Sequence, residues 1–447
     1  MPADDLKQKT ADLMPRLRAE LEKLVRLPSV AFPDFPDEPV TQAGAAVAQL
    51  LRDAGLPEVR MVDVARAPQA VFGQRPAQPG APTVLLYAHY DVQPAGPAEA
   101  WTSPPFEPTE RDGRLYGRGT ADDKSGVIMH AGAILALGPD CPVGIKVLIE
   151  GQEENGQGGM EEFARANAEL LAADAIVIAD VGNYALGVPT LTTSLRGMAA
   201  LDVEVETLEG AVHSGMFGGP GPDALIALTR MIATLHDDAG NVVVPGLDTI
   251  AYDGADYDEA AYRTDAGVLP GVDLIGSGTV AERLYGKPSI NVIGIDAPVV
   301  DGAANALIPR ARARISVRLA PGQEPDDAQA AMKKHLEAAA PWHVRVKITP
   351  QGAGEGFLAE TGGPGYAAAG RALEAAFGKP VVHYGQGGSI PLVAAFLEGQ
   401  PGTEMILWGA EEPQCKIHAP DESVDLTELE RCTLAEALFI AGMAETK

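Results

Sequence analysis

Val84-Leu-Leu-Tyr-Ala-His-Tyr-Asp-Val-Gln-Pro94 and, beyond a loop, Leu115-Tyr-Gly-Arg-Gly-Thr-Ala-Asp-Asp-Lys-Ser-Gly126 are the segments from which the fold is read. Val84 to Ala88 is an unbroken apolar run, the pattern of a strand buried on both faces. Pro94, Ala95 and Gly96 break the chain into a loop, so His89 and Asp91 fall just past the strand's end. Asp122 and Asp123 follow a Gly-Arg-Gly turn and precede a helix-like apolar run from Val127 to Leu137. One His and several Asp held at strand ends make half of a metal-binding platform.

The same rhythm extends outward. Leu13, Leu17, Leu21, Leu24 and Val25 form a helical stripe ended by Pro28, and Gln42 to Leu51 repeats it before Asp53-Ala-Gly-Leu-Pro57. A strand near Val59 to Val64 and a Pro/Gly-rich turn at Gly73 to Pro82 lead into the first segment. Beyond the second segment, an apolar strand at 143–149 ends in Glu150-Gly-Gln-Glu153-Glu154. Met160 to Leu171 reads as a helix, and the strand at 175–179 ends in Asp180. Strand, loop and helix in rotation predict an α/β sheet wrapped by helices, with the chemistry at the carboxyl ends of the strands.

From Met198 the pattern changes. Leu201, Val203 and Val205 alternate with Asp202, Glu204 and Glu206, as in an antiparallel sheet wet on one face. Helices at 224–235 and 326–339 and strands at 290–295, 312–319 and 343–348 complete this segment, and Asp248 to Gly271 reads as a long loop. After Gly362 the first style returns, with helices at 364–377, 390–397 and 426–442, a turn at Gly385-Gln-Gly-Gly-Ser389 and a strand at 404–408. The expected architecture is a catalytic α/β/α domain with a mixed sheet, residues 1–194 and 356–447. A smaller α+β domain, residues 195–355, interrupts it.

Bulk properties exclude several roles. The chain has 447 residues, 46% hydrophobic and 21% charged, enough for two ordinary globular cores. A formal net charge of −28 argues against nucleic acid or an anionic membrane as partner. Cys141, Cys415 and Cys432 are scattered and offer no disulfide framework, which suits a reducing compartment. Met1 to Leu13 lacks the apolar core of a signal peptide, and no apolar run approaches the roughly 18 residues of a membrane span. A cytoplasmic protein is expected.

His89, Asp91, Asp122, Glu153, Glu154, Asp180 and His418 carry the chemistry. A single acidic residue after a strand is usually a cap or turn residue. Five separate strand-to-loop junctions, each with a carboxylate or imidazole, are not explained by caps. Such carboxylates repel one another unless a cation neutralises them. Two imidazoles with several carboxylates suit Zn²⁺, Mn²⁺ or Co²⁺. Glu153 and Glu154 are adjacent and point apart, so one can ligate while the other acts as a base. Asp91 is spaced to hold the second nitrogen of His89.

His89-Tyr-Asp-Val-Gln-Pro94, Gly117-Arg-Gly-Thr-Ala-Asp-Asp123 and Glu150-Gly-Gln-Glu-Glu154 together resemble the di-zinc metallopeptidase family of carnosinases, cytosolic dipeptidases, aminoacylases, acetylornithine deacetylase and succinyl-diaminopimelate desuccinylase. The likeness spans nearly the whole chain. It implies two Zn²⁺ per subunit, with Mn²⁺ or Co²⁺ possible. His89 and Asp180 would hold one ion, His418 and Glu154 the other, with Asp122 bridging them across a cis Asp122–Asp123 peptide. Asp91 would orient His89, and Glu153 would be the general base for a zinc-bridging hydroxide. The 195–355 insertion becomes a lid and dimerisation domain. His213, in Ala211-Val-His-Ser-Gly-Met-Phe217, would reach the other subunit's site in a homodimer and donate to the oxyanion. Asn305, Arg318, Gly388 and Ser389 would bind the substrate, the last two through backbone N–H groups at its carboxylate.

Two details point to dipeptides within that family. The His-Tyr-Asp-Val-Gln-Pro wording resembles dipeptidases, where deacylases more often show His-Thr-Asp-Val-Val-Pro, and Asp180 stands where deacylases tend to have Glu. The segment around His418 departs from the His-Ser/Gly-Xaa-Asn-Glu form of the family. The expectation is a di-zinc dipeptidase acting on dipeptides or short peptides. An N-acyl-amino-acid deacylase is the alternative enzyme, and a non-catalytic binding protein that kept the fold is the alternative class. Gly117-Arg-Gly119 and Gly385-Gln-Gly-Gly388 are neither a P-loop nor a dinucleotide fingerprint.

Overall fold

The computed structural model describes residues 2–156, 159–388 and 390–446. The chain divides into two compact units, one of Met1–Thr193, Ala359–Tyr384 and Leu392–Lys447, the other of Ser194–Leu358 and Gly385–Pro391. It is a mixed α/β sheet unit with a separate antiparallel-sheet unit, the expected fold class.

Four parallel strands form the heart of the first unit, in the order Gly144–Glu150, Thr83–His89, Ala175–Ile178 and Glu404–Leu407. Ala70–Arg75 and Glu58–Val62 add antiparallel to one side, and Thr190–Leu195 to the other. Val84 through Ala88 and Ala175 through Ile178 are fully buried, which is why their sequences are continuously apolar. The strand Ala70–Arg75 overlaps the stretch read from sequence as a Pro/Gly turn. Gly73 conceals it, yet a Cβ there would lie 2.8 Å from Leu56 Cδ1, so glycine is the residue that lets the loop before it pack on the strand. Met160 to Leu171 is two helices, Met160–Ala166 and Ala168–Leu171, divided at Asn167. Asn167 there has φ −117° and ψ 29°, and its side chain donates to the Phe163 carbonyl instead of continuing the helix.

Lys124–Leu137 is apolar all round because it lies between the sheet and two other helices, Ala3–Val25 and Leu426–Met443. Asp123 caps it by accepting the Gly126 N–H. Gly132 marks the closest approach of the three helices. A Cβ there would stand 2.6 Å from Thr433 Cγ2 and 2.7 Å from Leu17 Cδ1. Gly132→Ala is therefore expected to destabilise the protein by about 1–2 kcal/mol, overpacking outweighing the helix propensity of alanine. Urea denaturation measures this, and an unchanged or higher midpoint would contradict the packing argument.

The second unit is a four-stranded antiparallel sheet in the order Ser289–Asp296, Arg310–Leu319, Gly197–Glu206 and Arg345–Gly354. Helices Ala224–Ala233 and Pro325–Ala338 cover one face, burying Leu201, Val203, Val205, Ile315, Val317, Leu228, Met332 and Leu336. The opposite face carries cross-strand ion pairs such as Arg314 on both Asp202 oxygens at 2.7 and 2.9 Å. Being solvated, they contribute little to stability. The segment read as a loop from Asp248 contains a helix, Glu259–Asp265, capped by Asp258.

Candidate active site

The parallel strands bring their carboxyl ends to one edge of the sheet. His89 closes its strand directly opposite Glu150. Asp180 follows Ile178, which pairs with Tyr87, and Glu411 follows the strand Glu404–Leu407. Asp122 lies on the loop entering the helix Lys124–Leu137, and the Asp122–Asp123 peptide is cis. Buried Glu422 holds that loop: its Oε1 accepts the N–H groups of Gly119, Ala121 and Asp122 at 3.0, 3.0 and 3.2 Å, while Arg118 donates to Oε2 at 2.6 Å. Lys124 Nζ ties the same loop to the first helix, donating to the Leu24 and Leu27 carbonyls at 2.9 Å. Burial pushes that amine down to about 7.

The two oxygens of Asp122 face two imidazoles. Oδ1 is 3.0 Å from His89 Nε2, and Oδ2 is 2.9 Å from His418 Nε2. Asp180 Oδ1 stands 3.6 Å from His89 Nε2, and Glu154 Oε2 stands 3.2 Å from His418 Nε2. Each imidazole thus has a carboxylate of its own and shares a third. Gln93 fixes Glu154, its N–H donating to Oε1 at 3.1 Å and its side-chain amide to Oε2 at 2.8 Å.

Asp91 faces the second nitrogen of His89, with its main chain as well as its carboxylate. His89 Nδ1 lies nearer the Asp91 main-chain carbonyl, at 3.1 Å, than its carboxylate, at 3.4 Å. A carbonyl only accepts, so Nδ1 carries the hydrogen and Nε2 is the nitrogen turned toward the cluster. The Asp91 carboxylate also accepts the N–H groups of Glu153 and Glu154, each at 3.1 Å. One side chain sets both positions.

The electrostatics call for cations. Burial works against a charged His89, yet hydrogen bonds to Asp122, Asp180 and Asp91 hold its pKa well above the imidazole range. Hydrogen bonds to Asp122 and Glu154 push His418 up to about 10. Asp122, despite its burial, is held below the carboxylate range by His418 and His89. Burial, then the charge of Asp180, lifts Glu153 well above its ordinary value, and burial also raises Asp180 and Glu154. Glu411 Oε1 is buried without a hydrogen-bond partner among the described atoms, and burial followed by the charge of Asp122 raises its carboxyl steeply.

Ligand atoms from His89, Asp122 and Glu154, and from Asp122, Asp180 and Glu411, lie within 4.8 Å of one another. Neutral-to-cationic imidazoles, crowded carboxylates and an orphaned oxygen fit divalent metal ions. Asp123 is also near His89 and Asp180. Its oxygens already accept the Gly126 and His89 N–H groups at 3.1 and 3.3 Å, so its part is to hold the backbone. Glu411, Glu422 and Gln93 escaped the sequence reading. Gln93 stands inside the quoted His89-to-Pro94 motif and was available there, whereas the other two reveal themselves only through contacts far along the chain.

The remaining candidates lie in the second unit. His213 pairs with Ala306 between short strands, and the Asn305 carbonyl accepts the Ser214 N–H at 2.9 Å. The Gly215 N–H donates to His213 Nδ1 at 3.0 Å, leaving Nε2 as the donor nitrogen of an exposed ring. Arg318 is half-buried near the end of Arg310–Leu319, and Gly388 is exposed on its turn. Ser389 lies outside the described residues.

The model of the family described as Peptidase family M20/M25/M40 matches residues 85–441. Cysteinylglycine-S-conjugate dipeptidase of Corynebacterium striatum is 40% identical over 441 residues, 96% of each chain. Cys-Gly metallodipeptidase dug1 of Schizosaccharomyces pombe is 32% identical over 346 residues, 71% of each chain. Among solved structures, human carnosine dipeptidase 1 aligns with a TM-score of 0.82 at 25% identity, covering 100% of this chain and 99% of that one.

Proposed function

This chain belongs to peptidase family M20/M25/M40, and from that premise we propose that it is a dipeptidase of the Cys-Gly and carnosine type, working with two zinc ions. The observation that carries the reading is the Asp122 carboxylate, which faces His89 with one oxygen and His418 with the other. His89 and Asp180 would hold one ion, His418 and Glu154 the second, and Asp122 both. When bound, such a pair polarises the scissile carbonyl and makes a water acidic enough to attack at neutral pH.

The protein's own groups do the rest. Glu153, whose burial raises its proton affinity, takes the proton of the attacking water and returns it to the departing nitrogen. Asp91 keeps Glu153 and Glu154 in register through their backbone N–H groups. His213 donates through Nε2 to the oxygen that gains charge. Arg318, Asn305 and the turn at Gly388 and Ser389 receive the far end of the substrate, its free carboxylate.

A homodimer suits the second unit. Its edge strand Ser289–Asp296 and the loop beyond it expose Val292, Ile293, Ile295, Val299 and Val300, an apolar edge of the kind a second copy covers. That dimer would carry His213 to the partner's site, with the 195–355 segment acting as its lid. Cys141, Cys415 and Cys432 are all unpaired, in keeping with a cytoplasmic setting.

Hydrolysis of cysteinylglycine, carnosine, a tripeptide and N-acetyl and N-succinyl amino acids by chelator-treated and zinc-restored protein tests the reading. Dipeptide cleavage abolished by the chelator and restored by zinc is expected. Cleavage of the acyl substrates alone would overturn the dipeptidase assignment and leave the deacylase reading standing.

A further inference from the structure

Arg196 is 5% exposed and finds no carboxylate among the described residues. Its Nη2 donates only to neutral acceptors: the Lys287 carbonyl at 2.7 Å, Ser289 Oγ at 3.2 Å and the Arg318 carbonyl at 3.3 Å. Its Nε is buried without a partner among the described atoms. A buried guanidinium without a counter-ion is costly and has to be explained. Burial, and next the like charge of Arg318, lower it to about 10, so it remains charged at neutral pH. Arg318 itself has no ion pair among the described residues. Two arginines therefore neighbour each other in the second unit, joined through the Arg318 carbonyl, and neither pairs with a carboxylate among the described residues.

The surrounding contacts show what Arg196 holds. Arg318 pairs across the sheet with Ser289 on one side and Met198 on the other, so the guanidinium clasps the strand end that carries Arg318. The Arg196 N–H donates to the Gln386 carbonyl at 3.3 Å, joining it to the end of the strand Val382–Gln386, which takes in the first two residues of the stretch read from sequence as a turn, just ahead of Gly388. Two tyrosines brace Gly385, Tyr252 from the segment read as a loop and Tyr285 beyond it. Tyr252 Oη accepts the Gly385 N–H at 3.0 Å, and a Cβ on Gly385 would stand 2.7 Å from the Tyr285 ring.

We infer that Arg196 is a positioning residue for carboxylate recognition: it aligns the strand end carrying Arg318 with the segment Gly385–Gly388 and supplies, beside Arg318, a second positive charge that the substrate's carboxylate neutralises. The inference rests on the proposed dipeptidase reading and extends it to a residue that does not itself touch substrate. Lysine keeps the charge but not the rigid planar group that fixes Nη2 among its three acceptors.

The test compares cysteinylglycine with cysteinylglycinamide, which lacks the free carboxylate, on zinc-loaded wild type, Arg196→Gln and Arg196→Lys. Wild type is expected to prefer the acid, and Arg196→Gln to reduce the acid-to-amide ratio of kcat/KM about tenfold, chiefly through KM for the acid. Arg196→Lys should recover part of the ratio. A ratio unchanged in Arg196→Gln, with both substrates affected equally, would mean a purely structural residue and overturn the inference. If the Gln variant does not fold, Arg196→Lys decides, a fully wild-type ratio and KM overturning it. A wild type indifferent to the carboxylate would instead overturn the underlying reading of the substrate site, and the inference with it.

Discussion

Replacing Glu153 with alanine is expected to lower kcat by about 10³- to 10⁴-fold while the protein keeps both metal ions. The expectation follows from a division between neighbours. Glu154 turns toward His418, 3.2 Å from its Nε2, and Gln93 holds it there. Among the described residues the Glu153 side chain makes neither contact, and burial, followed by the charge of Asp180, raises its affinity for a proton. Its loss removes a proton carrier without removing any of the five proposed ligands. Glu153→Gln, equal in shape but unable to take the proton, should fall as far. Metal analysis of the purified variants beside single-turnover rates checks both halves. Turnover within threefold of wild type would exclude Glu153 as the base.

Asp122→Asn is expected to act on the metals first and on the rate as a consequence. Among the described residues Asp122 pairs with both imidazoles, at 3.0 and 2.9 Å. An amide presents one neutral oxygen in place of two charged ones, so the cations lose their shared counter-charge. The bound metal should fall from two ions per chain to fewer than one, and kcat/KM by at least about 10³-fold. Equilibrium dialysis against zinc gives the stoichiometry independently of activity. A variant that still binds two ions would show that Asp122 does not bridge them. The fold itself should survive, because Glu422 grips the loop through backbone N–H groups that the substitution leaves intact.

Much of this was legible in the chain because burial imposes its own alphabet. The apolar run at Val84–Ala88 and the acidic alternation from Asp202 to Glu206 each admit one sheet environment, and the structure has both. The ligand candidates were legible for a related reason: His89, Asp180 and the Glu153-Glu154 pair directly follow such runs. What escaped reading depends on contacts across hundreds of residues. Glu422 reaches Gly119, and Glu411 reaches the neighbourhood of Asp122 and Asp180, with no local pattern to announce either. Asp91 was legible in part. Spacing placed it beside His89, but could not tell that its carbonyl would face the ring while its carboxylate took two amides. Arg196, between the strands Thr190–Leu195 and Gly197–Glu206, carries no local signal, and its acceptors, all neutral, set it apart.

Each of the two units has a hydrophobic core of its own, one around Lys124–Leu137 and one beneath the sheet of Gly197–Glu206. All five proposed metal ligands belong to the first, and Arg196, His213, Asn305 and Arg318 all belong to the second. Heritable variation can therefore work on the two halves at separate rates. Substitutions confined to the second unit leave all five proposed metal ligands as they are, so on the proposed reading the choice of peptide can drift at Arg196, Asn305 and Arg318 while the metal-holding half of the chemistry is inherited unaltered.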